Sequence, residues 1–178
     1  MAGTEHERFV ELIEAHQKIL YKVAHAYCRN PEEHSDLIQE IIVQLWRSFE
    51  RFDERYRFST WMYRIAMNVA ISYYRSESRR TRHSVQLGEA ILEIAAPEPE
   101  SDDIRMLRQF IDGLDPLNKA LIILYLDGNN YDAIAEIIGI STTNVATKIS
   151  RIKQRLRRDF DAASQGAEST SKEETHGS

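Results

Sequence analysis

Apolar residues recur at three- and four-residue spacing along most of this chain, the period of an amphipathic α-helix. A first helix is marked by Phe9, Leu12, Ile13, Ile19, Leu20, Val23, Ala24 and Tyr27, and it ends near Arg29-Asn30-Pro31 because proline cannot continue a helix. A second begins at Pro31 or Ser35 and buries Leu37, Ile38, Ile41, Ile42, Leu45, Trp46 and Phe49. A third runs from Trp61 to about Ser76, with Ser59 or Thr60 as the side chain that accepts from its first orphan amides. Three helices with this much apolar surface make a small bundle.

The periodicity fades from Ser78 to Ser101, and Ala95-Ala96-Pro97-Glu98-Pro99-Glu100 has the composition of an extended linker. Helical spacing resumes at Ile104, Leu107, Phe110, Ile111 and Leu114, breaks at Asp115-Pro116, and runs again from Leu117 to Leu126, where Asp127-Gly128 stops it. Two further helices span Tyr131 to Ile138 and Thr142 to about Phe160. The expected fold is all-α, with two small helical domains at residues 1–80 and 103–160, a flexible acidic linker at 81–102 and a disordered tail at 161–178.

The last two helices form a recognisable unit. A short helix with Ile134 and Ala135, a turn at Gly139, buried Ile140 and a second helix with Val145 is the pattern of a helix-turn-helix. Ala135 is small where the second helix crosses, Gly139 supplies a left-handed turn, and Ser141 can cap the second helix, with Asn144 where a full capping box has Glu. At 100° per residue, Val145, Ile149, Ile152 and Leu156 share a stripe about 60° wide that faces the core. The opposite face carries Thr143, Asn144, Thr147, Lys148, Arg151, Gln154, Arg155 and Arg158, a donor-rich set suited to a DNA major groove. A solvated basic helix would carry the same charges, but the turn pattern just before it favours DNA.

Charge distribution supports that reading where net charge misleads. The 178 residues hold 23 Lys plus Arg against 28 Asp plus Glu, a formal charge of −5. Residues 1–80 balance at 12 basic and 12 acidic, whereas 81–147 hold four basic against eleven acidic. The sign then flips, with six basic residues between Lys148 and Phe160 opposed only by Asp159. A local basic stripe on an acidic protein binds phosphates without general stickiness. The third helix gives a second candidate surface, since Arg64, Asn68, Ser72 and Arg75 fall in a stripe about 80° wide beside Trp61. A polar stripe next to aromatic rings suits single-stranded nucleic acid, because bases stack on rings and amides read base edges.

Other chemistry is poorly supported. The longest mainly apolar run, Ala120 to Leu126, is far short of the ~20 residues that span a bilayer. Glu5, His6, Glu7 and Arg8 stand where a secretory signal would need a basic start and an apolar block, so a cytoplasmic protein is expected. Cys28 is the one cysteine; His25 shares its helix face, but no second ligand pair completes a metal site. No phosphate-cradling glycine loop appears. Neither an enzyme nor a cofactor or metal is expected.

Two blocks then resemble a known family. "DLIQE" at Asp36 to Glu40, followed by "FSTWMYRIAMNVAISYYR" from Phe58 to Arg75, resembles region two of bacterial RNA polymerase sigma factors. The stretch from Leu117 to Phe160 resembles their region four, and the order and spacing are those of the extracytoplasmic-function group of the sigma-70 family, which keeps only these two regions. The resemblance covers roughly residues 9–160.

That resemblance implies a sigma factor that binds core RNA polymerase, at the largest-subunit clamp and the flap, and directs promoter recognition and melting. Asp36, Gln39, Glu40, Gln44 and Trp46 match positions that dock on the clamp. Phe52, Phe58, Trp61, Arg64, Asn68, Ser72 and Arg75 match the region that captures a flipped base of the minus-ten element, although many relatives have Asp where this chain has Ser72. Thr143, Asn144, Thr147, Lys148 and Arg151 are the candidates for the minus-thirty-five duplex, with Arg155 and Arg158 on phosphate, while Ala146 stands where relatives often have Arg or Lys. The acidic segment Gln86 to Asp103 reads equally as an RNA-like strand inside the polymerase or as a plain tether. An anti-sigma factor is an implied partner. The competing reading is a one-component helix-turn-helix repressor or activator, which would need a ligand or dimer domain in place of the Asp36–Glu40 and Phe58–Arg75 blocks.

Overall fold

Helices carry the whole of the described architecture. The computed structural model describes residues 2–28, 30–84 and 101–173, with side chains described for 4–28, 30–76 and 101–163. Its helices are α1 (Ala2–Tyr27), α2 (Pro31–Phe49), α3 (Phe58–Ser84), α4 (Asp102–Asp112), α5 (Pro116–Leu126), α6 (Tyr131–Ile138) and α7 (Thr142–Glu173). The acidic segment at 85–100 lies outside the described residues.

Polar caps punctuate the chain where the sequence turns. Asn30 accepts from the Glu33 amide at 2.7 Å, ahead of Pro31 at the start of α2. Asp115 does the same for α5, accepting from Asn118 at 3.1 Å, and Asn130 for α6, accepting from Ala133 at 2.8 Å. Each such cap contributes about 1 kcal/mol. α3 departs from expectation at both ends. Ser59 and Thr60 lie inside it, because the helix begins at Phe58, three residues earlier than expected, with the Arg57 carbonyl accepting its first bonds from the Thr60 and Trp61 amides. The helix also runs on to Ser84 rather than stopping near Ser76.

In the first lobe α1, α2 and α3 pack pairwise. Leu37, Ile41 and Leu45 recur every four residues on α2 and are fully buried, as are Val23 of α1 and Met62 and Ala66 of α3. In the second lobe α5 and α6 pack on α7 around Leu121, Leu124, Ile134, Ile137 and Ile149. Burying a side chain of this size contributes about 1.5–3 kcal/mol, so the stripes fix which face of each helix is left for partners.

The two lobes meet. α3 packs against α5 and α6, and the buried apolar residues of both lobes form one cluster. Tyr27 donates its hydroxyl to the Pro116 carbonyl at 2.8 Å, Lys119 donates to the Ala26 carbonyl at 3.1 Å, and Lys22 and Tyr63 both reach Asp127. Burial, then the hydrogen bond and charge of Asp127, push the Tyr63 hydroxyl above its ordinary range; burial, then the charge of Asp115, do the same for Tyr27. Sequence periodicity gives no hint of this contact, because lysine reads as surface and tyrosine as either surface or core.

The tail also differs from expectation. α7 continues past Asp161 to Glu173, and only 174–178 lie outside the described residues. A stable helix already nucleated by core packing extends at low cost through Ala162, Ala163, Gln165 and Ala167, all tolerant of helix.

Candidate nucleic-acid interface

The second lobe presents α7 as the second helix of a tight pair. Gly139 ends α6 with φ +79° and donates to the Ala135 carbonyl at 2.8 Å. A Cβ there would meet nothing within 4 Å, so the need for glycine is conformational rather than steric. Ser141 Oγ then accepts from the Asn144 amide at 3.2 Å, the expected cap, and Thr142 Oγ1 donates to Asp132 at 2.9 Å, tying the start of α7 to α6. Val145 and Ile149 are fully buried, with Ile152 beside them and Leu156 half-buried. The opposite face follows from this. Thr143, Asn144, Thr147, Arg151, Arg155 and Arg158 are exposed and Lys148 is half-buried.

Two cations of α7 are held in place by rings from neighbouring helices. Arg155 lies over Phe110 of α4, 5.6 Å from the ring centroid, and Lys153 sits 4.1 Å from the ring centroid of Tyr125 while donating to its hydroxyl at 2.5 Å. Lys153 was not singled out in the sequence, and Tyr125, a full helix away, gave no local signal that it would fix a cation.

The first lobe's surface is of another kind. Phe49, Phe52, Phe58 and Trp61 form a ring cluster, with Phe52 to Trp61 at 5.0 Å, Phe52 to Phe58 at 5.3 Å and Phe58 to Trp61 at 5.3 Å. Phe58 is buried and forms its floor, whereas Phe52 and Trp61 are half-buried and leave ring surface open. The loop leading into α3 is shaped by Asp53, which accepts from the Arg55 backbone amide at 3.0 Å and from its guanidinium at 2.5 Å. Those hydrogen bonds hold the Asp53 carboxyl below its usual range.

Beyond the rings, Arg64, Asn68, Ser72 and Arg75 are all exposed on α3. Asn68 and Ser72 share a groove of about 540 Å³ with Glu40, Gln44 and Ser48 of α2. The structure therefore divides the α3 candidates, with one group at the aromatic cluster and another at a polar groove. It also sets Glu40 and Gln44, expected to face the polymerase, beside two residues expected to face DNA. Gln44 donates to Glu40 at 2.8 Å and is half-buried; Asp36 and Gln39 are exposed. Trp46 stands apart at the other edge of α2, 43% exposed, its ring edge-on to Phe9 at 5.0 Å.

No group of His, Cys, Asp and Glu among the described residues is arranged to hold a metal, and no described helix is long and apolar enough to cross a membrane. Cys28 is buried, and His25 turns instead toward His34, with ring centroids 4.9 Å apart.

Comparison with known proteins identifies the family. The family model of sigma-70 region 2 matches residues 12–80, and that of sigma-70 region 4 matches residues 104–156. The ECF RNA polymerase sigma factor SigW of Bacillus subtilis is 25% identical over 169 residues, covering 88% of this chain and 90% of its own length. The ECF RNA polymerase sigma-E factor of Escherichia coli is 30% identical over 134 residues, covering 68% of this chain and 70% of its own. Among solved structures, the sigma factor RpoE in complex with the anti-sigma factor NepR, from Bartonella quintana, superimposes with a TM-score of 0.66 at 20% identity, over 87% of this chain and 95% of that one. The chain belongs to the extracytoplasmic-function group of the sigma-70 family of RNA polymerase sigma factors.

Proposed function

We propose that this sigma factor gives core RNA polymerase its promoter choice through two separate grips, the first lobe on melted strand and the second on duplex. The observation that carries this reading is the contrast between two exposed helix faces on one chain. α3 offers rings and an amide beside a polar groove, the chemistry that holds an unstacked base. α7 offers exposed hydroxyls, an amide and cations from its first turns onward, the chemistry that reads a major-groove edge and its phosphates. Capturing a base on the first face offsets part of the few kcal/mol of unstacking, so opening requires no nucleotide hydrolysis. The activity is binding rather than catalysis, and it is exercised in the cytoplasm.

Asp36, Gln39 and Glu40 dock on the largest-subunit clamp, with Gln44 and Trp46 flanking them, and the second lobe meets the flap. These acidic and amide groups project from a helix whose other face is fully committed to the core. An anti-sigma factor holds the protein inactive, in keeping with the complex of the similar Bartonella protein. The test is start-site mapping with purified core polymerase on genomic fragments. New start sites are expected only when the chain is added. Unchanged start sites, with tight binding of the chain alone to an operator duplex, would establish the one-component regulator instead.

A further inference from the structure

The groove between α2 and α3 has a chemistry of its own. At 100° per residue, Glu40, Gln44 and Ser48 occupy a different arc of α2 from Gln39 and Trp46, and they form one wall of this recess of about 540 Å³. Asn68, Ser72 and Ser76 of α3 stand across from them, and the half-buried Ile65 and Val69 supply apolar surface between. Ser72 lies eleven residues beyond Trp61 on α3, about 16 Å along the helix, so the groove is a separate place from the ring cluster.

Its polar atoms are weighted toward acceptors. The Glu40 carboxylate can only accept, and Gln44 Nε2 donates to it at 2.8 Å. That bond decides which way the carboxamide turns, because the reverse orientation would set its oxygen against a carboxylate. Gln44 is left presenting its carbonyl oxygen and one N–H. Ser76 spends its hydroxyl proton on the Tyr73 carbonyl at 2.9 Å, so toward the groove it too can only accept. Among the described residues no lysine or arginine lines the recess. Arg64 and Arg75 stand exposed on α3 beyond its two ends, four residues before Asn68 and three after Ser72.

This pattern separates two kinds of ligand. A phosphate seated here would face a carboxylate with no cation to offset it. A nucleobase instead lays its ring on Ile65 and Val69 and turns its polar edge to the rim, leaving its neighbouring phosphates for Arg64 and Arg75. Among the bases, adenine, cytosine and guanine carry an exocyclic amino group that donates to such acceptors. Thymine has one ring N–H between two carbonyls, and acceptors repel carbonyls.

We propose that this groove is a second base-reading site on the melted strand, selective for a base with an exocyclic amino group and against thymine. Gln44 is the reading side chain and Glu40 the residue that positions it. The inference rests on the promoter reading above and adds a specificity to it.

The test uses the full chain with saturating core polymerase and a fluorescent single strand spanning the minus-ten region of a promoter found by start-site mapping. Each position carries in turn adenine, cytosine, guanine, thymine or purine, which is adenine without its amino group, and binding is followed by anisotropy. Gln44→Met keeps the size of the side chain and removes its polar atoms; Glu40→Gln puts a group that can donate where the carboxylate can only accept. Affinity for core polymerase is measured separately for each form. At one position the best amino-bearing base is expected to bind about tenfold more tightly than thymine, with purine close to thymine. That ratio is expected to fall toward one in Gln44→Met and to shrink in Glu40→Gln, which accepts thymine, while every other position keeps its ratio. Ratios unchanged at all positions in both variants would overturn the proposal. Equal weakening for every strand, matched by weaker binding to core polymerase, would make the groove a polymerase contact and overturn it as well. Failure of the unaltered chain with core polymerase to bind any of the strands would bring down the promoter reading, and this inference with it.

Discussion

α3 and α7 both carry a polar stripe opposite an apolar one, yet they are built for different targets. On α7 the apolar stripe is narrow and buried from Val145 to Ile152, with Leu156 half-buried, and nearly everything across from it is exposed to solvent. On α3 the polar stripe is flanked by half-buried rings at one end and by a groove shared with α2 at the other. A regular, unobstructed face suits a regular partner such as duplex DNA, which presents the same phosphates turn after turn. A face interrupted by rings and a recess suits a partner that has lost its regularity, a single strand with a base turned out. The difference lies in what surrounds each stripe rather than in its residue types, since both contain arginine and an asparagine.

That contrast can be broken in graded ways. Ile149→Ala removes a fully buried side chain beneath the duplex-facing surface and is expected to destabilise the second lobe by about 2–5 kcal/mol. Calorimetry and duplex binding together check it. Trp61→Ala removes a ring with open surface and is expected to cost about 1–3 kcal/mol of strand capture, roughly five- to 150-fold in open-complex formation, with Trp61→Phe largely restoring it. Arg151→Ala is expected to weaken upstream duplex binding about tenfold and to lower the slope of log affinity against log salt by about one.

The smallest expected effect concerns pH. The Tyr63 and Tyr27 hydroxyls titrate above the value of 10.0 that tyrosine has when unperturbed. Their contribution to stability is therefore complete below that pH and is lost as pH rises above it, because the unfolded chain gives up the protons first. Denaturant midpoints measured across the alkaline range should fall, and Tyr63→Phe should flatten part of that fall. An unchanged slope in the variant would separate Tyr63 from the seam between the lobes.

Much of this was legible in the sequence. The buried stripe of α7, the left-handed Gly139 and the Ser141 cap follow from local rules, because each depends on residues within one or two turns. What could not be read depends on residues distant in the chain. Phe110 holding Arg155, Tyr125 holding Lys153 and Tyr63 reaching Asp127 each join helices that periodicity treats one at a time. The start of α3 differs for a related reason, since Phe58, buried against Phe52 and Trp61, is drawn into the helix three residues ahead of Trp61 by contacts that form only when the rings pack. The groove that sets Glu40 and Gln44 beside Asn68 and Ser72 likewise arises only when α2 and α3 pack.

The claim that two distinct surfaces divide the work is tested most directly by permanganate reactivity of minus-ten thymines, read with upstream protection on the same promoter and the same core polymerase. With Asn68→Ala, upstream protection is expected to persist while thymine reactivity is lost; with Arg151→Ala, both are expected to fall together and to recover at higher protein concentration. Loss of upstream protection in the Asn68 variant, or unchanged thymine reactivity in it, would contradict the division of labour between α3 and α7.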